Sequence, residues 1–433
     1  MATAHQSNVR DELDHACELR GDRLVSWRHH LHANPELSNR ERRSAAFVAD
    51  RLLEAGLDEV RTGIAGYGVI GILRGGLPGD RVAALRADMD ALPVRETSGV
   101  DFASTVVDAD YPGGPFPVAH SCGHDCHTAI VLASAHALAT VRDQLPGTVM
   151  FVFQPAEEGP PVGEAGGAQA MLDAGAFDDP TPTMTFGMHV GPLPIGMVGF
   201  RAGNQYAASC LVKIIVNGQQ VHGSTPWMGI DPMPPAASII TAIGQLYRQM
   251  PAYNPITISI GHVEDVGRFN IIGQTVTLWG TIRCILENDM AVVQEKLRRL
   301  AEHHAAAYDC TATVEYDQYV PPVTNTAEWL DVLLPTVRRV VGEGNLVEIP
   351  PALGYDDVSV FTRAFGGAYL SFGTQDTRLH GQDLTPIDGG RGLVPNHHPA
   401  FYADDSSLTT SLRIHTQVAA DHLFGLAAPH RMS

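Results

Sequence analysis

Cysteine is scarce in this chain. Six residues in 433, at positions 17, 122, 126, 210, 284 and 310, are too few and too scattered for a disulfide scaffold. Positive charge is short as well: 29 Lys and Arg stand against 48 Asp and Glu, a formal net charge of −19. So acidic a surface repels phosphate backbones and anionic lipid, so neither nucleic acid nor a membrane surface is expected as a partner. No apolar run approaches the roughly 18 residues of a membrane helix. The opening residues, MATAHQSNVRDELDHACELR, lack the apolar stretch of an export signal, so a cytoplasmic protein with reduced thiols is expected. Internal repeats and low-complexity tracts are missing too.

What remains is an ordinary globular composition, 44% hydrophobic and 18% charged, long enough for one large and one smaller domain. Leucines at near-helical spacing over 13–31 predict a helical start that Pro35 interrupts, and a second helix is predicted over 41–53, stopped by Gly56. Short β runs at 69–73 and 82–85 flank the turn-forming RGGLPGD. A helix over 129–141, a strand over 148–153, a helix over 168–174 and a strand over 183–188 ending in His189 follow. Such alternation predicts an α/β layered domain. The pattern changes near residue 205. Strand 207–216, helix 235–250, strands 256–260 and 275–282, helix 289–308 and strand 311–316 follow the split βαβ order. Residues 205–322 are therefore read as an insertion, which leaves 1–204 and 323–433 as one discontinuous domain.

Histidine is plentiful, at 20 residues, and its placement points to metal chemistry. In SCGHDCH (121–127), Gly123 separates Cys122 from His124, so thiolate and imidazole can turn toward one ion. Cys126 and His127 could serve instead, and Asp125 could orient an imidazole. The plain alternative is a buried cysteine among polar loop residues. QPAEEG (154–159) follows an apolar strand, and catalytic groups gather at the C-terminal ends of strands in α/β proteins. Adjacent Glu157 and Glu158 repel each other unless a cation or proton compensates. Neighbouring side chains on extended backbone point opposite ways, so one carboxylate can hold a metal while the other faces water. A solvated acidic turn is the competing account. His189, His397 in VPNHHPAF (394–401) and the alternating Asp88 and Asp90 of RADMDALP (86–93) complete the set. Each also has an ordinary structural reading.

Seven segments carry a family resemblance: RHHLHANPELS (28–38), LRADMDALP (85–93), SCGHDCHTA (121–129), FQPAEEG (153–159), GMHVGP (187–192), HGSTPWMGIDP (222–232) and NHHPAF (396–401). In this order the chain resembles the M20 metallopeptidase/amidohydrolase family. Within it, the resemblance is to the branch of hippurate hydrolases, indole-acetyl-amino-acid hydrolases and N-acetyl-diaminopimelate deacetylases. It implies an α/β fold of the zinc exopeptidase type, a discontinuous catalytic domain with a central mixed sheet and flanking helices. An inserted ferredoxin-like α+β lid would mediate a homodimer. Two divalent metal ions (Zn, Mn, Co or Ni) would be held by residues matching Cys122, His124, Glu158, His189 and His397. Glu157 matches the general base, Asp90 a second catalytic acid, and His222 a lid histidine that steadies the tetrahedral intermediate, typically from the partner subunit. Asn270 and Arg283 lie in segments resembling the family's region for the substrate carboxylate, with a lid salt bridge or surface position as the competing reading. The implied activity is hydrolysis of a small-molecule N-acyl amino acid by an activated water.

Three positions depart from the family pattern. Cys126 stands where many relatives carry Gly, and Asp356-Asp357 where they often carry Glu-Asp. The loop 381–396 is unlike the hippuricase type, which leaves the substrate open. A metallo-dipeptidase or carboxypeptidase on the same scaffold is the alternative activity. A non-catalytic metal-dependent binding protein is the distant one, and the presence of Glu157 argues against it. A closed structural zinc module would need paired CxxC motifs, which are missing.

Overall fold

The computed structural model describes residues 2–381 and 383–429. The chain divides into two compact units. The first takes in residues up to Gly203, Thr324–Pro350 and those from Val360 on; the second takes in Asn204–Val323 and Pro351–Ser359. The segment 351–359 thus clusters with the second unit, whereas the sequence reading grouped it with residues 323–433.

In the first unit, helices α1 (Ala2–Glu18), α2 (Gly21–Ala33) and α3 (Arg42–Glu54) precede strands β1 (Glu59–Ile64), β2 (Gly68–Arg74) and β3 (Leu77–Asp88). Helix α4 (His124–Ala139), strand β4 (Pro146–Gln154), helix α5 (Gly167–Asp173) and strands β5 (Met184–Pro194) and β6 (Val198–Phe200) follow. In the second unit come β7 (Ala208–Asn217), α6 (Met233–Leu246), β8 (Ile256–Asp265), β9 (Thr275–Cys284), α7 (Glu287–Ala306) and β10 (Thr311–Val320). The first unit resumes with α8 (Ala327–Val341), β11 (Leu346–Glu348), β12 (Gly367–Gln375) and α9 (Leu408–Leu423).

The large sheet runs β1-β2-β4-β3-β5-β12-β6-β11. Its centre, β4, β3, β5 and β12, is parallel, and antiparallel pairs flank it. Covered strands need apolar residues on both faces, and β2 and the second half of β3 are buried without alternation. Helix α4 packs against α2, α9 and β3, and every residue from His124 to Leu138 is buried. A helix with no solvent face carries no amphipathic stripe. For that reason the apolar pattern does not mark its polar first turn, and the helix begins at His124 instead of near 129. Strand β5 likewise runs through His189 to Pro194, because its parallel pairing with β12 continues past Ser371. The turn between β2 and β3 is also shorter than read, since β3 already begins at Leu77.

In the second unit the sheet order is β8-β9-β7-β10, with every neighbouring pair antiparallel. Its strands alternate buried and partly exposed residues, as expected when one face meets helices α6 and α7. Val212, Ile214, Leu278, Ile239 and Leu297 lie in this unit's own apolar core.

Candidate metal centre

Parallel strands deliver side chains to one end of the large sheet. Asp88 ends β3 and Asp90 lies just beyond it, both fully buried. Beyond β4 lie Glu157 and Glu158, and β5 carries His189. Helix α4 starts beside them. Gly123, just before its first turn, has φ 90°, and a Cβ there would stand 2.2 Å from Val190 Cγ2. Only glycine accommodates both that backbone and that approach. The α4 N-terminus also places its positive dipole end near Cys122.

Three overlapping groups of ligand atoms result, each with all members within 4.8 Å of one another: Cys122, His124 and His189; Cys122, Glu158 and His397; His124, Glu157 and Glu158. Cys122 Sγ is 3.4 Å from His189 Nε2, and His397 Nε2 is 3.1 Å from Glu158 Oε1. All five residues that match the family's ligands therefore meet.

Their orientation is set from behind. His124 Nδ1 lies 2.9 Å from the Asp90 carbonyl oxygen and 3.2 Å from its carboxylate, so it donates its proton there and turns Nε2 inward. His189 donates from Nδ1 to the Val190 carbonyl at 2.8 Å, which likewise leaves Nε2 facing Cys122. His397 sits at φ 68°, its N–H donating to Ser121 O at 2.8 Å. The Asn396 amide donates to the carbonyls of Cys122 (3.0 Å) and Val190 (3.1 Å), fastening this loop to two other ligand segments.

Sequence reasoning left Cys126, His127 and Asp125 open; of these, His127 groups with Asp88 and His124, its ring centroid 5.5 Å from that of His124, but its nitrogens are engaged elsewhere. His127 Nε2 accepts the Val190 N–H at 2.9 Å, so its proton lies on Nδ1 and is donated to Asp88 at 2.6 Å. Both ring nitrogens are thereby spent. Asp125 orients no ligand; it accepts from Arg28 Nε at 3.1 Å and pairs with His32 Nδ1 at 2.9 Å. Cys126 is buried, near Arg28 and Asp125. His398 accepts the Ala400 N–H and is exposed.

Charge in the cluster is unbalanced without a cation. Burial pushes the Cys122 thiol well above its usual range, and Glu158, Glu157 and Asp88 push it further. Burial disfavours charge on His124, but the carboxylates of Asp88, Asp90 and Glu158 outweigh it and raise it to about 10. Glu158, whose burial acts the other way, is drawn down to about 2 by His397 and His124. His189 is pushed down to about 3 by burial and then by His127, so it stays neutral, the form that ligates. His124 Nε2 is buried and makes no hydrogen bond. A borderline-soft divalent ion fits this sulfur, nitrogen and oxygen set, and gives that orphaned nitrogen a partner.

Two supporting residues escaped the sequence reading, Ser38 and Glu41. Ser38 Oγ donates to Asp90 Oδ2 at 2.7 Å, and that oxygen also accepts the Glu158 N–H at 3.0 Å. Glu41 Oε1 accepts the Ala156 N–H at 2.7 Å. RHHLHANPELS ends on Ser38 and Glu41 follows three residues later, yet nothing in one sequence says which strand end they reach.

In the second unit, His222 is exposed and its Nδ1 accepts from the Ser224 N–H at 3.0 Å. Its proton is therefore on Nε2. Asn270 lies beside it, its carbonyl accepting the Gly223 N–H at 3.0 Å. Arg283 is elsewhere in this unit: it donates to Ser209 Oγ at 2.7 Å and lies 4.2 Å over the Tyr355 ring. Asp356 and Asp357 are buried.

The sequence profile of peptidase family M20/M25/M40 matches residues 84–384. Thermostable carboxypeptidase 2 of Saccharolobus solfataricus is 34% identical, covering 92% of this chain and 95% of its own length. N-acetylcysteine deacetylase of Bacillus subtilis is 31% identical over 92% of this chain and 96% of its own. The crystal structure of a dinuclear metal binding peptidase from the M20 family, also of Bacillus subtilis, superposes with a TM-score of 0.70. It shares 29% identity and covers 94% of this chain and 99% of that one.

Proposed function

Because the chain belongs to peptidase family M20/M25/M40 and is a metal-dependent amidohydrolase of that family, we propose that it cleaves the amide bond of N-acyl amino acids. The observation that carries this reading is the convergence of Cys122, His124, Glu158, His189 and His397 beside a separate buried carboxylate, Glu157. Those five would hold two divalent ions, Zn, Mn, Co or Ni. When bound, the ions polarise the amide carbonyl and lower the pKa of water toward ~7. Glu157, 3.7 Å from His124 Nε2 through its Oε2, takes the proton of the attacking water and returns it to the leaving amine. Asp90 fixes the tautomer and direction of His124. His222, with its proton on Nε2, donates a hydrogen bond to the developing oxyanion, reaching in from a partner subunit of a homodimer built through the 205–322 lid. Asn270, beside His222, and Arg283 would take the substrate carboxylate. Six unpaired cysteines support a reducing compartment such as the cytoplasm. Among the described residues no helix is long and apolar enough to cross a membrane.

The carboxypeptidase reading is favoured by the Saccharolobus relative. Hydrolysis of hippurate, N-acetyl amino acids, indole-acetyl amino acids and dipeptides by metal-reconstituted protein separates the two. Preference for the acyl amino acids, abolished in Glu157→Gln with metal content unchanged, supports the proposal. Activity confined to dipeptides, or turnover retained by Glu157→Gln, overturns it.

A further inference from the structure

The segment after α2, NPELSNRE (34–41), has no part in the chemistry above, yet it touches the backbone of the Glu157–Glu158 turn. Ala156, which opens that turn, adopts φ 54°, a left-handed backbone that alanine disfavours, and it is 1% exposed. Two carboxyl oxygens grip the backbone on either side of Glu157. Glu41 Oε1 accepts the N–H of Ala156, and Asp90 Oδ2 accepts the N–H of Glu158. Glu41 is fully buried, and the same oxygen accepts the Asn39 N–H at 3.0 Å. Its own helix, α3, begins at the next residue, so the acceptor sits on a fixed support.

We propose that Glu41 is a positioning residue for the Glu157–Glu158 pair. By accepting the Ala156 N–H it holds the left-handed turn that sends Glu158 toward Cys122 and His397 and leaves Glu157 to face water. This rests on the reading of Glu157 as base and Glu158 as metal ligand. The role needs an acceptor, not a charge. Burial, and then Asp90, push the Glu41 carboxyl up toward its uncharged form, which glutamine imitates.

The test compares Glu41→Gln, Glu41→Ala and the double variant Glu41→Ala/Ala156→Gly, with Glu41→Leu in place of alanine should the smaller side chain prevent folding. Kinetics and chelator competition for added Mn2+ are both measured. Loss of a residue that supports ligands typically costs about 10–100-fold in activity or metal affinity, and that is expected of Glu41→Ala, with kcat falling more than KM changes. Glu41→Gln should stay within about threefold of the parent. Glycine reaches the left-handed region freely, so Ala156→Gly should restore most of the loss. Parental kcat and Mn2+ affinity in Glu41→Ala, equal damage in Glu41→Gln, or no recovery in the double variant would each overturn the proposal. Glu157→Gln, measured alongside, judges the base assignment separately, because Mn2+ affinity reports on Glu41 whatever Glu157 does.

Discussion

A Cβ on Gly123 has nowhere to go: Val190 closes one side, and the φ of 90° strains any L side chain as well. Alanine there must shift the start of α4 or strand β5, and Cys122, His124 and His189 all depend on those two. Gly123→Ala is expected to cost about 2–4 kcal/mol in thermal unfolding and to leave the protein unable to retain metal on dialysis. His222 makes the opposite case, since it is exposed and its unit does not need it. His222→Ala should lower kcat about 100-fold, as for a lost oxyanion donor, while metal content and melting temperature stay put. A fall in bound metal instead would assign it a different role. Cys122, His124, Glu158 and His397 were legible because each sits in a short motif rich in Cys, His or Glu, whereas His189 stands alone at a strand end and was legible through the family resemblance. Ser38, Glu41 and Asn396 were not, because what they do depends on groups 52, 115 and 274 positions away in the chain, the Asp90 carboxylate and the backbone of Ala156 and Cys122. Of the carboxylates the sequence offered to orient an imidazole, Asp88 and Asp90 face those of α4, whereas Asp125 pairs with Arg28 and His32.

Helix α2 braces the same region through a buried charge network. His32 pairs with Asp125 through Nδ1 and with Glu96 through Nε2, each at 2.9 Å, and Arg28 joins Asp125 to Asp405. Loop residues next to Glu96 then reach the His397 segment: the Thr97 N–H donates to Pro399 O at 2.7 Å, and Arg391 donates to Ser98 O at 2.6 Å. Burial disfavours charge on His32, but Asp125 and Glu96 outweigh it and raise it to about 9. A folded value above the unfolded one, near 6.5, means that the stabilisation is complete below about pH 6.5 and disappears as pH rises through about 9. Melting temperature should therefore drop between pH 7 and 9.5, and His32→Asn should flatten that slope. Breaking this buried pair should cost about 3 kcal/mol at pH 7. An unchanged slope in His32→Asn would assign the alkaline loss to other groups. Element boundaries were legible where one face is wet, as in β7 and β9, and failed where none is, as in α4.

At the scale of the molecule, the alternation of strands and helices over residues 69–189, and the change of order after 205, made the mixed-sheet architecture readable from periodicity. The family assignment follows from motifs spread over nearly the whole chain, and the profile match spans 84–384. What periodicity could not supply is the crossing order of the sheet, since β12, which is contributed after the second unit, inserts beside β5. The central claim is that residues remote in sequence bind a pair of cations on which amide hydrolysis depends. Metal analysis of reconstituted protein, with turnover followed through chelation and re-addition, tests it most directly. The account predicts two divalent ions per chain, fewer in Cys122→Ala, whose thiol belongs to two of the ligand groups, and activity that leaves and returns with the metal. Full hydrolysis of N-acyl amino acids by protein carrying no metal would contradict it.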